Sequence, residues 1–213
     1  MILTLAATLL LSAAPQDKAL APWTELGPAP LSNLDTGRVP AFAAHPTNPD
    51  LVYAAGADGG VWRVENDVWT ALTSYQATTS VGALALAPSD PQVIYAGTGE
   101  ANYANHSRYG LGVLKSTDAG DTWELLGGTE LAGRCISRLV VHPSDADTVW
   151  AAVTRAGGFP ELAAAKNHPG AMGDLGVFKS TDGGQSWAHL AGLPNLSATD
   201  LVLDVANPNV LYA

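Results

Sequence analysis

Cysteine is all but missing: Cys135 is the single one among 213 residues. That excludes an intrachain disulfide and any metal site built on thiolates. Its setting, CISRLVV, is apolar and reads as a buried, inert thiol rather than a nucleophile. Positive charge is scarce too, with 10 Lys+Arg against 20 Asp+Glu and a formal net charge of −10. No basic run occurs, so the clustered Lys/Arg that grip phosphate backbones or anionic membrane surfaces are absent, and nucleic acid is excluded as a partner. Charged residues make up only 14%, while Gly numbers 22 and Pro 14. Such a composition favours many turns and leaves little room for long helices.

Long apolar runs are also lacking. The N-terminal one, Ile2–Leu11, is too short to span a membrane, and no membrane span is expected in this segment. It reads instead as the apolar centre of an export signal, with Ser12, Ala13 and Ala14 as small residues for cleavage. Residues 1–21 are therefore set apart as a secretion signal. The remainder is expected in a secreted, periplasmic or cell-surface location.

What the sequence has is repetition. HPTNPDLVYAA begins at His45, APSDPQVIYAG at Ala87 and HPSDADTVWAA at His142, with a weaker copy, DVANPNVLYA, from Asp204. The successive offsets are 42, 55 and 62 residues, the size of a blade or solenoid repeat. Each unit reads as four short strands. The apolar runs VPAFAAH, VGALALA and ISRLVVH come first, then LVYAA, VIYAG or TVWAA after a Pro/Asn/Asp turn. VWRV, GVLKS or GVFKS follow, and VWTAL, TWELL or SWAHL close the unit. β-branched and aromatic residues bounded by turn formers favour strands over helices. Four strands in such a repeat are a blade of a β-propeller, and the expected blades cover about 37–72, 80–127, 135–191 and an incomplete 197–213. PWTEL at Pro22–Leu26 resembles a lone fourth strand able to close a ring.

Two phrases repeat in register: STDAGDTW at Ser116–Trp123 and STDGGQSW at Ser180–Trp187. They resemble the Asp-box, or BNR repeat, found in sialidases, sortilin-type receptors and xyloglucanase-type glycoside hydrolases. The resemblance covers nearly everything after residue 22 and implies an all-β propeller of Asp-box blades, here about three with the start of a fourth and the rest in sequence beyond this chain. Turn chemistry accounts for the fixed positions Ser116, Asp118, Gly120, Trp123, Ser180, Asp182, Gly184 and Trp187. Asp accepts backbone N–H bonds, Gly permits positive φ, and Trp opens the next strand. The first unit, RVENDVW, has lost the phrase. One carboxylate per corner is too few for calcium, which takes about 6–8 oxygens, so no metal and no cofactor are expected.

Antiparallel strands send the 2–3 and 4–1 connections to one end and the corners to the other. The 2–3 connections vary most: Gly56–Gly60, Thr98–Gly112 and Thr154–Gly176. Variable loops on a rigid repeat are where recognition is expected. The second carries Glu100, Asn102, Tyr103, His106, Arg108 and Tyr109, a mixture suited to sugars or peptides and equally to a loop packed on its neighbour. The third is expected to hold a helical turn over 161–166. His45 and His142, each before a Pro, read as turn residues.

Two finer resemblances concern single residues. LVYAAGADGGVWRVE is similar to the first-blade segment of xyloglucanases, which implies Asp58 as a catalytic base; Asp58-Gly59 is equally a hairpin turn signal. Inverting glycosidases need two carboxyl groups roughly 6.5–9.5 Å apart, and only one matching Asp is visible. Gly37-Arg38-Val39-Pro40 resembles the sialidase F/Y-R-I-P signature, which implies a carboxylate-gripping Arg38, and Arg134 in GRCISR reads as the equivalent place one blade on. Three functions follow as expectations: a secreted module binding an extracellular glycan or protein, an inverting endo-β-glucanase of the xyloglucanase kind with Asp58 as base, or a spacer in a surface protein.

Overall fold

The computed structural model describes residues 38–101, 108–155, 173–193 and 196–213. The export segment, the strand at Pro22–Leu26, the helical turn over 161–166, and Asn102, Tyr103 and His106 lie outside these residues.

Fourteen strands and one helical turn are described, and the strands form three four-stranded antiparallel sheets and a two-stranded one. Sheet 1 runs β1 (Ala41–Ala44), β2 (Leu51–Gly56), β3 (Gly60–Glu65) and β4 (Val68–Ala71). Sheet 2 runs β5 (Val81–Ala87), β6 (Asp90–Thr98), β7 (Val113–Ser116) and β8 (Glu124–Leu126). A single helical turn, α1 (Gly128–Leu131), leads to sheet 3: β9 (Cys135–His142), β10 (Asp145–Thr154), β11 (Gly176–Ser180) and β12 (Ala188–His189). Sheet 4 holds β13 (Val202–Leu203) and β14 (Leu211–Tyr212). In every sheet strand order follows chain order. The all-β, four-strand expectation holds; α1 was not foreseen, and its Leu131 is fully buried between sheets 2 and 3.

The sheets stack face to face, and strand alternation decides which residue meets which neighbour. Tyr53, Tyr95, Trp150 and Tyr212 hold one register position, opposite Ala43, Ala85, Val140 and Val202. Each ring in the first three sheets points at the following sheet. Tyr53 packs with Val81, Leu84 and Ile94 of sheet 2, Tyr95 with Leu139, Val149 and Trp187 of sheet 3, and Trp150 with Leu201, Leu203 and Leu211 of sheet 4. The hydroxyls cross the same interfaces: Tyr53 donates to the Ala119 carbonyl at 3.0 Å and Tyr95 to the Ala146 carbonyl at 2.8 Å. Burial lifts both phenols above their ordinary pKa and keeps them protonated donors. Each fully buried large apolar side chain is worth about 1.5–3 kcal/mol, so these cores hold the stack together.

Innermost β5 lies against both β1 and β9, and the approach is close enough to demand glycine. A Cβ on Gly82 would stand 2.3 Å from the Gly99 carbonyl oxygen and 2.7 Å from that of Ile136. The histidines before proline brace turns: His45 Nδ1 accepts from the backbone N–H of Thr47 at 3.3 Å and Asn48 at 3.0 Å, and His142 Nδ1 from Ser144 at 3.3 Å.

Candidate functional site

The two repeated corners superpose bond for bond. Ser116 Oγ donates to Asp118 Oδ1 at 2.8 Å and accepts from the Gly120 N–H at 2.8 Å; Asp118 accepts from the Thr122 N–H at 2.8 Å and hydroxyl at 2.6 Å. Ser180, Asp182, Gly184 and Ser186 repeat this at 2.7, 2.8, 3.0 and 2.5 Å. Trp123 and Trp187 donate Nε1–H to the carbonyls of Gly120 and Gly184 at 2.8 and 2.9 Å. The hydroxyl of Thr122 or Ser186 does most to hold each aspartate pKa down to about 2, with the backbone N–H and then the serine adding to it. Every lone pair these carboxylates use is spent inside the turn. Sheet 1 closes differently, through Asn66 and Asp67 at φ 49° and 64°, the left-handed pair of a tight hairpin.

At the other end of the stack the connections make a cleft of about 370 Å³ between sheets 1 and 2. It is lined by Asp58, the 76–80 segment, Arg108, Tyr109 and Leu111. Asp58 stands on the β2–β3 connection with its side chain half exposed, and Arg108 Nε lies 3.3 Å from its Oδ1. Both loops are pinned from behind. Thr79 donates its hydroxyl to the Asp58 carbonyl at 3.0 Å and accepts the Gly60 N–H at its own carbonyl at 2.7 Å. The Arg108 carbonyl accepts from the Glu100 N–H at 2.8 Å and the Cys135 thiol at 3.1 Å. Thr98 Oγ1 ties the base of the long loop, accepting from the N–H groups of Leu111 at 2.8 Å and Gly112 at 3.0 Å. Tyr109 packs its ring against Cys135, whose thiol pKa is pushed up by burial.

Of the remaining candidates, Glu100 is fully buried and its carboxylate accepts from the Arg38 guanidinium, so it braces sheet 2 against sheet 1 rather than facing the cleft. Arg38 stands three residues before β1, its carbonyl accepting from the Ala57 N–H at 3.0 Å. Register puts Ser80 in that place one sheet on and Cys135 two sheets on, since Val81 pairs with Thr98 and Ile136 with Val153, so Arg134 stands two sheets on and one residue before it. The sequence reading of Arg134 as one blade on is corrected accordingly. Arg134 is buried, donates to the Asp174 carbonyl, and stacks 5.6 Å from the centre of the Phe178 ring.

The residues that sequence reasoning missed are Gln76, Thr78, Thr79 and Ser80, on the connection from β4 to β5. Ser80 is 4% exposed, and among the described residues its Oγ has no partner. A signal was available: TSYQATTS is a run of hydroxyl and amide side chains on a 4–1 connection, which shares the end of the 2–3 loops. Among the described residues no group of three His, Cys, Asp or Glu is placed to hold a metal ion, and no helix is long and apolar enough to cross a membrane.

Stacked four-stranded antiparallel sheets, with corners at one end and a polar cleft at the other, define a partial β-propeller. Solved structures share the fold: an ancestral GH74 enzyme (TM-score 0.59, 24% identity, 83% of this chain and 21% of that one) and the GH74 xyloglucanase from Xanthomonas campestris (TM-score 0.54, 23% identity, 79% and 25%). No protein-family model matches the chain. In sequence it is similar to a xyloglucanase of Paenibacillus sp, 29% identical over 172 residues, and to an oligoxyloglucan-reducing end-specific xyloglucanase of Emericella nidulans, 28% identical over 178. These alignments take in 75% and 78% of this chain but only 15% and 19% of the two proteins, so the chain spans less than a fifth of these curated relatives.

Proposed function

We propose that this chain supplies one wall of the carbohydrate cleft of a xyloglucanase-like glycoside hydrolase, with Asp58 as the general base. The observation that carries this reading is Asp58 itself: a half-exposed carboxylate at the mouth of a polar cleft, on the segment whose sequence resembles xyloglucanases, in a chain whose named relatives are xyloglucanases. Asp58 would take a proton from the attacking water. Arg108 holds the carboxylate in orientation, and Gln76, Thr78 and Thr79 offer donors and acceptors to sugar hydroxyls. Tyr109 adds an apolar ring face suited to a pyranose. Asp58 is the one carboxylate among the described residues lining this cleft, so this reading takes its general acid from elsewhere.

That single carboxylate also favours a second reading, a module that binds an extracellular glycan without cleaving it. Release of reducing ends from xyloglucan by the full-length protein that carries this wall, wild type against Asp58→Asn, separates the two. The hydrolase reading expects hydrolysis in the wild type and its loss in Asp58→Asn with binding retained. Hydrolysis that survives the substitution removes Asp58 from the mechanism. Binding without hydrolysis in both leaves the glycan-binding module.

A further inference from the structure

The chain contains two Asp-Gly pairs, Asp58-Gly59 and Asp182-Gly183, and the fold treats them differently. Glycine offers the side-chain carboxyl before it an amide nitrogen that no Cβ shields. At Asp182 both reactants are tied down. Its Oδ1 accepts from the Ser180 hydroxyl at 2.7 Å and the Ser186 N–H at 3.0 Å, and its Oδ2 from the Ser186 hydroxyl at 2.5 Å. Those donors, the Ser186 hydroxyl foremost, keep the carboxyl ionised with a pKa of about 2, and an ionised carboxylate has no hydroxyl to lose. The nucleophile is held as well, since the Gly183 N–H donates to the Asp147 carbonyl at 2.9 Å.

Asp58 has neither restraint. Among the described residues its carboxylate meets one partner, Arg108, whose Nε lies 3.3 Å from Oδ1. No backbone carbonyl among the described residues takes the Gly59 N–H. The turn is held through its own carbonyls instead: that of Asp58 accepts from the Thr79 hydroxyl at 3.0 Å and that of Gly59 from the Trp62 Nε1–H at 2.8 Å.

We propose that Asp58-Gly59 is a site of spontaneous isoaspartate formation, from which the fold protects Asp182-Gly183. The Gly59 nitrogen bonds to Cγ of the protonated Asp58 carboxyl, the Cγ–hydroxyl bond breaks, and the amide proton leaves with that hydroxyl as water. Water then opens the resulting succinimide at either carbonyl. One opening restores aspartate; the other routes the main chain through Cγ. In that product the free carboxylate stands on the carbon whose carbonyl Thr79 had bound, and the β2–β3 connection is longer by a methylene. On the hydrolase reading the same event withdraws the general base from its place, but the chemistry does not depend on that reading.

The test holds the full-length protein that carries this chain at neutral pH and scores isoaspartate site by site through peptide mapping, with enzymatic methylation of isoaspartate as the label. Isoaspartate is expected to accumulate at Asp58 and not at Asp182. In the urea-unfolded chain both sites are expected to react alike. Gly59→Ala is expected to abolish accumulation at Asp58. Gly59 has no positive φ, and an added Cβ meets Gly56 Cα and Trp62 Nε1 at 3.7 Å, an ordinary contact, so this variant folds. Isoaspartate at Asp182 matching that at Asp58 in the folded protein overturns the proposal. So does an Asp58 that stays intact when folded but reacts in urea, or a preference for Asp58 that persists in urea. No arm reads hydrolysis, so the proposal and the hydrolase reading fail separately.

Discussion

The guanidinium of Arg38, three residues before β1 of sheet 1, donates to the carboxylate of Glu100, just past β6 of sheet 2. Glu100 has a side chain only 1% exposed, while that of Arg38 is 36% exposed. The two ends of this pair are therefore unequal. Arg38→Met takes the cationic partner from a buried carboxylate and is expected to cost about 2–4 kcal/mol, whereas Glu100→Gln leaves an arginine that can turn to water and costs about 1 kcal/mol. In a urea-denaturation double-mutant cycle, the double variant is expected to fall short of the sum.

The corner aspartates set an acid limit. Their folded pKa values, about 2, lie below the ordinary value of about 3.9, so their contribution is full above pH about 4 and lost as pH falls towards 2. Asp118→Asn and Asp182→Asn each remove part of that dependence. Thermal melts between pH 2 and 5 are expected to show a shallower slope in either variant than in the wild type.

The two corner tryptophans are not equivalent. Trp187 is 6% exposed and joins the core between sheets 2 and 3, while Trp123 is only half-buried. Trp187→Ala is expected to cost about 3–5 kcal/mol and Trp123→Ala clearly less, read from chemical-denaturation midpoints at unchanged slope.

The hydroxyls of Tyr53 and Tyr95 each bridge a different interface. Tyr53→Phe and Tyr95→Phe are each expected to destabilise by about 1 kcal/mol, and additively, because their hydroxyls donate to different carbonyls, those of Ala119 and Ala146. A double-variant melt checks the sum.

The stack was legible because its cause is local. Alternating Val, Tyr and Ala, fenced by Pro, Asn and Gly, specify short strands one at a time, and the Ser-x-Asp corners are turns closed by their own side chains. Glu100 was read as a ligand residue because it sits on a long loop; only the approach of sheet 1 buries it against Arg38. Counting back from the repeated histidines puts Arg38, Ser80 and Cys135 in one place. β5 and β9 carry the same extra residue, Gly82 and Ser137, at their register shifts, so Cys135 keeps the place and Arg134 stands one residue before it. Ser80 escaped notice for a related reason: its weight comes from the neighbours that close over it, and no short motif records them.

The claim that the cleft between sheets 1 and 2 binds carbohydrate has one direct test. Xyloglucan oligosaccharide is titrated into the isotope-labelled chain, and backbone amide shifts are followed by NMR. The account expects saturable shifts clustered at Asp58, Thr79, Ser80, Arg108 and Tyr109, weakened by Arg108→Ala. Shifts confined to the corner turns, or none at all from the folded chain, would contradict it.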